Sequence, residues 1–193
     1  MKARELVIEP ANVGGIRQFI EQHHYSGSIN GVKVTQCFKV TFEDSLVGAV
    51  LFGQLSTTAW KRFGKTEHEV LELRRLVLLD EAERNSESRV IGACLRWIKK
   101  NLPDVRVIVS YADPMYGHSG VIYKASNFKY EGMTPPDKGF RDIDTGKIYH
   151  SRALRTKYKG EYKPFVKRLR KKLEEGSLET IELAGKHRYI YVL

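Results

Sequence analysis

Cysteine is nearly absent. With Cys37 and Cys94 as the two thiols in 193 residues, neither a disulfide framework nor a cysteine-rich zinc site can be assembled, and two structural thiols in a reducing compartment are expected. Long apolar runs are lacking as well. The longest, such as Leu46 to Phe52, fall far short of the roughly 20 residues a membrane-spanning helix needs. The N-terminus mixes Lys2 and Arg4 with Glu5 and Glu9 and is broken by Pro10, with no apolar core of a signal peptide, so a cytoplasmic protein is expected. Acidic residues are in deficit. Against 33 Lys and Arg stand 23 Asp and Glu, a net charge of +10. Between Lys138 and Leu193 there are 15 Lys and Arg and 7 Asp and Glu, so +8 of that excess sits in the C-terminal part of the chain. Such an excess suits a polyanionic partner, because neutralising phosphates releases condensed counterions. A merely solvated basic face is the alternative.

What is present alternates between strand and helix periodicities. A short strand from Glu5 to Glu9 precedes a helix capped near Asn12 with Ile16, Phe19 and Ile20 on one side. Val32 to Phe42 and Leu46 to Leu55 form a hairpin. Glu69 to Leu79 is a further strand, followed by an amphipathic helix from Ser86 to Lys100, with Asn85 or Ser86 as its cap. Val105 to Val109 reads as a buried strand that Ala112, Asp113 and Pro114 stop, and a short helical pattern from Gly117 to Ser126 leads to a strand at Phe128 to Glu131. Pro135, Pro136, Lys138 and Gly139 read as a mobile loop. Lys163 to Glu175 is a basic amphipathic helix, and His187 to Leu193 closes the chain as a strand. The expected fold is mixed α/β, with a mostly antiparallel central sheet, helices on both faces and a basic C-terminal helix. Residues 1–155 are expected to form the catalytic domain, and 156–193 the basic helix and closing strand packed on it.

Polar side chains gather at one strand end, where α/β sheets commonly place ligands. Asp113 either caps its turn or works in a site. His118 and Ser119 cap the helix carrying Tyr123 or contact substrate. Tyr123 is either a core aromatic or a general acid. Arg75 alternates toward a donor phosphate or carboxylate, with Arg74 on the opposite face. Asn85, Ser86 and Ser88 offer donors to an anion at a helix start, and capping explains Asn85 as well. Trp60 and Phe63, beside Lys61 and Arg62, either stack on a base or pack on each other. Lys167, Arg168 and Lys171 are the expected phosphate contacts of the basic helix, positioning rather than specifying. His23, His68, His150 and His187 receive no functional role.

The order of elements resembles that of GNAT-type acyltransferases. That resemblance implies an acyl-coenzyme A or related donor, its pyrophosphate near Arg84, Asn85, Ser86 and Ser88, and a proton-donating tyrosine at Tyr123. The stretch Arg84 to Arg89 carries neither glycine of the usual phosphate loop, where a missing Cβ lets backbone approach phosphate. A second resemblance is more specific. His24, Tyr25 and Ser26; Glu72 to Leu76; Asn85 to Ser88; Tyr111 to Asp113; Gly117 to Gly120 with Tyr123; and Asn127, Phe128, Tyr130 and Gly132 together resemble the Mom DNA-modification proteins of bacteriophage Mu and its relatives. The likeness runs from about residue 15 to about 155. It implies carbamoylmethylation of the exocyclic amino group of adenine in DNA, which hides sites from restriction enzymes, in a bacterial host. It also implies His24, Tyr25, Asp113 and Tyr123 as catalytic groups, or instead His24 and Asp113 as ligands of an iron. A base inside a duplex must be flipped or its strand opened to be reached. Two other functions fit the residues: a GNAT N-acyltransferase acting on a small-molecule or protein amine, and a DNA-binding protein without catalysis.

Overall fold

The computed structural model describes residues 1–55 and 58–193. Along the chain it places strand β1 (Val7–Ala11), helix α1 (Val13–His23), strands β2 (Val34–Phe42), β3 (Ser45–Gln54) and β4 (Val70–Leu78), helix α2 (Ser86–Asn101), strand β5 (Val107–Ala112), helix α3 (Val121–Ala125) and strand β6 (Lys129–Met133). After these come β7 (Asp137–Asp142), β8 (Ile148–His150), β9 (Lys157–Tyr158), β10 (Glu161–Tyr162), helix α4 (Pro164–Glu174), β11 (Leu178–Leu183) and β12 (His187–Val192). They form two compact units, residues 1–132 with 187–193, and residues 133–186. The second unit thus begins before residue 156, and the closing strand returns to the first.

The first unit is built on a seven-stranded sheet in the order β1-β2-β3-β4-β5-β12-β6. The pairings β1–β2, β2–β3, β3–β4 and β5–β12 are antiparallel, and β4–β5 is parallel. The β2–β3 hairpin turns on Glu43 and Asp44, both at positive φ, the backbone that matches strand twist in a two-residue turn. Asn12 caps α1 by accepting from the Gly15 amide at 3.0 Å. Ile16 and Ile20, one helical turn apart, then bury against Cys37, Ala49 and Leu51. The alternate residues Phe38, Val50 and Phe52 face the other way, onto Val90, Ile91, Cys94 and Ile98 of α2. Helices therefore cover both faces, as the alternation of β2 and β3 predicts.

Two departures in β4 and β5 make the site. Opposite β3, Leu51 pairs with Arg75 and Phe52 with Leu73, so Arg74 is the extra residue of a β-bulge. The parallel pairing with β5 runs from Val70↔Val107 to Leu73↔Ser110 and stops there. Beyond that point the two strands no longer share hydrogen bonds. A bulge bends and twists its strand, and the lower half of β4 is thereby released from β5.

The second unit holds a three-stranded sheet, β11-β7-β8, and the two-stranded β9–β10 ribbon. The segment expected as a mobile loop around Pro136 to Gly139 leads into β7, the central strand of that sheet. Proline there precedes the strand rather than interrupting its ladder. Helix α4 buries Val166 and Leu169, the latter against Leu154 and Leu178. Its Lys172 donates to Asp142 at 2.8 Å and Asp144 at 2.9 Å.

Candidate functional site

The cleft opened by the parting strands has a volume of about 580 Å³. One wall is Arg74 and Leu76 to Leu78 of β4, and another is Tyr111 and Ala112 of β5. The end of α1 adds His24 and Tyr25, and the loop 116–123 closes it. Among the proposed catalytic groups, His24, Tyr25 and Tyr123 line this cleft, and Asp113 follows directly on its Ala112 wall.

His24 sits at the C-cap of α1, 8% exposed. Its Nδ1 accepts the Ser26 backbone N–H at 3.1 Å and contacts the Ser26 hydroxyl at 2.8 Å. A backbone amide only donates, so Nδ1 is the unprotonated nitrogen and the neutral ring carries its proton on Nε2. Burial, then the Arg75 guanidinium and His118, lower the His24 pKa to about 4. At neutral pH the ring is therefore neutral, with its N–H on Nε2.

Tyr25 packs at a tilt against His24 at 4.2 Å between centroids, against Tyr116 at 4.3 Å and against His118 at 5.1 Å. Tyr25 and Tyr116 are both about half-exposed, at 49% and 52%. Burial, and the Asp113 carboxylate nearby, raise the Tyr25 phenol, while Arg75 opposes them. Asp113 is buried and directly follows β5. Its carboxylate accepts from the Met115 amide at 3.1 Å, capping the 3-10 turn Pro114–Tyr116.

Tyr123 is packed between Phe128 and Tyr189. Its hydroxyl is hydrogen-bonded to Ser110, and burial pushes its pKa up to about 12. Ser110 in turn donates to the Leu73 carbonyl at 3.2 Å, so the phenol connects to the last paired rung of β4 and β5. The loop preceding Tyr123 depends on Gly120, at φ +79°. A Cβ there would overlap the Tyr189 ring. The Tyr189 hydroxyl donates to the Ser119 carbonyl at 2.6 Å. Gly120, not His118 or Ser119, is the N-cap of α3, and no side chain caps it. The helix is also shorter than the pattern Gly117 to Ser126 predicts.

The bulge reverses the expected arginine roles. Arg74 lines the cleft and pairs with Glu72 at 3.2 Å. Arg75 donates to the Ser28 carbonyl through Nε and Nη2, at 3.3 and 3.2 Å, bracing the loop that follows His24. At the start of α2, Asn85 adopts a left-handed conformation without a side-chain cap. The Ser88 hydroxyl donates to the Asn85 carbonyl at 2.9 Å. The Ser86 hydroxyl is fully buried with no hydrogen-bond partner among the described residues. Arg84 is exposed, and from this helix start it is Glu87 that reaches the cleft.

Trp60 and Phe63 pack on Leu55, Val70, Val107 and Val109 as part of the sheet's cover. Arg62 and Arg188 both lie over the Phe63 ring at 5.9 Å. Lys167, Arg168 and Lys171 are exposed on α4 in the second unit. Lys167 lies 3.8 Å from Glu161 and Lys171 3.6 Å from Glu175. The expectation of an iron held by His24 and Asp113 finds no support: among the described residues, no group of three or more His, Cys, Asp or Glu is placed to hold a metal ion. Sequence reasoning missed Arg74, Tyr111 and Tyr116. Tyr116 lay within the motif from Asp113 to Tyr123, and its alternation of aromatic, glycine and histidine was the available signal.

Comparison with known proteins places this geometry. The model of the Mom protein family matches residues 5–193. A curated relative, the methylcarbamoylase mom of Escherichia phage Mu, is 32% identical over 151 residues, covering 77% of this chain and 61% of its own length. The chain thus spans about three fifths of that relative. The fold is also that of Arabidopsis thaliana NAA60 in complex with acetyl-CoA, at TM-score 0.53 and 10% identity, covering 97% of this chain and 99% of that one. The aminoglycoside acetyltransferase AAC(6')-Ib in complex with coenzyme A matches at TM-score 0.52 and 10% identity, over 67% of this chain and 87% of its own. The architecture is GNAT-like, a mixed and mostly antiparallel sheet with helices. Among the described residues, no helix is long and apolar enough to cross a membrane.

Proposed function

The chain belongs to the Mom protein family, and from that premise we propose that it is a phage-type DNA modification enzyme acting on the exocyclic amino group of adenine. The modification is a carbamoylmethylation that protects DNA from restriction, inside a bacterial host cell. The observation that carries this reading is the cleft between β4 and β5, with the half-exposed Tyr25 and Tyr116 at its mouth. A flipped adenine is a planar group that stacks on such rings, and one base stacked on an aromatic is worth about 1–3 kcal/mol. These two tyrosines replace Trp60 and Phe63 as the base platform, since the latter are used in packing the sheet.

In the cleft and at its Ala112 wall the residues divide the work. His24, neutral and protonated on Nε2, donates to an oxygen of the transferred group as charge develops there. Asp113, a carboxylate beside Tyr25, is the proton acceptor for the adenine amine, whose lone pair is delocalised into the ring and needs a base. Tyr123, backed by Ser110, is the proton donor to a leaving group. The unpaired edges of β4 beyond Leu73 offer backbone donors and acceptors to an extended ligand.

Neighbours of the same fold bind coenzyme A or acetyl-CoA, and the start of α2 fits the anionic end of such a donor. Its first turn lacks a side-chain cap, and the Ser86 hydroxyl is buried without a partner. Backbone amides of that turn, with Ser86 and Arg84, would hold the phosphates. Bound there, an acyl-coenzyme A would supply an activated thioester. Thioester aminolysis alone leaves an amide on the nitrogen, whereas a carbamoylmethyl product carries a methylene there. Acyl transfer is therefore not the whole reaction.

Co-expression of the chain with a plasmid, followed by mass spectrometry of the digested DNA, tests the reading. A modified deoxyadenosine is expected. Unmodified nucleosides from well-expressed protein that acetylates a peptide or small amine would place it among the N-acyltransferases instead.

A further inference from the structure

The charge excess of the second unit is concentrated in one place. Residues 152–170 hold eight Lys and Arg and a single acid, Glu161, for a net charge of +7. At the centre of this segment is the β9–β10 ribbon, pairing Glu161↔Tyr158 and Tyr162↔Lys157. Lys159 and Gly160 turn it, both at positive φ (50° and 84°), the two-residue geometry that keeps a hairpin narrow and twisted.

The cations of α4 and of the ribbon differ in their partners. Lys172 is clamped by Asp142 and Asp144, while Lys167 and Lys171 each have a glutamate within 4 Å. Arg152, Arg155, Lys157, Lys159, Lys163 and Arg168 have no carboxylate within that distance among the described residues. Aromatic rings are interleaved with them. Tyr162 lies between Lys157 at 4.9 Å and Arg170 at 4.7 Å, which fixes the base of the ribbon. Tyr158, at its tip, is 65% exposed under Lys159. A large apolar ring held out at the end of a cationic ribbon has no packing role in the unit. It suits a partner with an anionic backbone and flat apolar surfaces.

We propose that the β9–β10 ribbon is a duplex-DNA docking element, with its tip entering a groove and Lys157, Lys159 and Lys163 on the flanking phosphates. The major groove, about 12 Å wide, admits a two-stranded ribbon. Tyr158 packs on sugars or base edges inside it. This inference rests on the reading that the protein acts on DNA, and it moves the principal contact from α4 to the ribbon.

The test is binding of the full chain to a fluorescent 20-base-pair duplex across a range of salt concentrations. Each lost phosphate contact lowers the slope of log affinity against log salt by about 0.9. The triple variant Lys157→Gln, Lys159→Gln, Lys163→Gln should lower it by roughly 2.7 on that scale. Lys159→Gln alone, at an exposed turn, should lower it by about 0.9 with no risk to the fold. Tyr158→Ala should weaken affinity several-fold and leave the slope unchanged. The control triple Lys65→Gln, Lys99→Gln, Lys100→Gln removes the same charge elsewhere. An equal fall in slope for that control overturns the proposal, as does a triple ribbon variant that binds like the parent or a parent that does not bind duplex. Failure of the enzymatic reading is a separate result: a parent chain that docks through the ribbon but leaves co-expressed plasmid unmodified.

Discussion

Acid should destabilise this protein through His24, over a defined range of pH. The ring titrates near 6.5 in an unfolded chain and at about 4 in the folded one. Between those values the unfolded chain holds a proton that the buried, Nδ1-accepting ring refuses. Stability therefore falls as pH drops through this window, and the effect is absent above it. The displacement corresponds to at most about 3 kcal/mol, and access of water to the cleft reduces it to about 1–2 kcal/mol. The assay is urea unfolding at pH 7.5 and 4.5 for the parent and for His24→Asn, whose side-chain oxygen can still accept the Ser26 amide but does not titrate. The parent should lose about 1–2 kcal/mol more than the variant between the two pH values. Equal losses would show that His24 is protonated in the fold at little cost, and that its assignment as an Nε2–H donor is wrong.

Gly120→Ala should be among the most damaging single-methyl additions, because positive φ and the Tyr189 ring both oppose it; a thermal midpoint lowered by several degrees, with loss of modification, is the expected result. Asp113→Asn preserves the acceptor for the Met115 amide and removes the charge. Its midpoint should match the parent while DNA modification falls by on the order of a hundredfold or more, whereas full activity would reduce Asp113 to a cap. Tyr116→Ala should raise the KM for DNA by about tenfold, from the loss of one stacking surface, with kcat little changed; an unaltered KM would remove Tyr116 from the base platform.

Much of the first unit was legible because its periodicities are unambiguous. Alternation in Val34 to Gln54, the 3.6-residue spacing in α2 and Asn12 as a cap each point to one structure. The arginine pair shows where such reasoning stops. Strict alternation assigns Arg75 to the ligand side, but one inserted residue at Arg74 shifts the register, and no composition rule marks that bulge. The second unit was harder for a related reason. Pro135, Pro136 and Gly139 signal a turn, yet β7 starts one residue after the prolines and tolerates Gly139 because Leu183 occupies the space a side chain would need. His24 and Tyr25 were found through their motif. The tautomer of His24 depends on a backbone amide two residues away, which only coordinates reveal.

The scarcity of cysteine has a kinetic corollary. Cys37 and Cys94 are both buried, and burial raises both thiols above their ordinary range. No sulfur of the described chain is therefore ready to carry a transferred group as a thioester between donor and acceptor. Both substrates must occupy the enzyme together unless another nucleophile intervenes. Initial-rate plots should then converge rather than run parallel, and alkylating reagents should leave turnover intact.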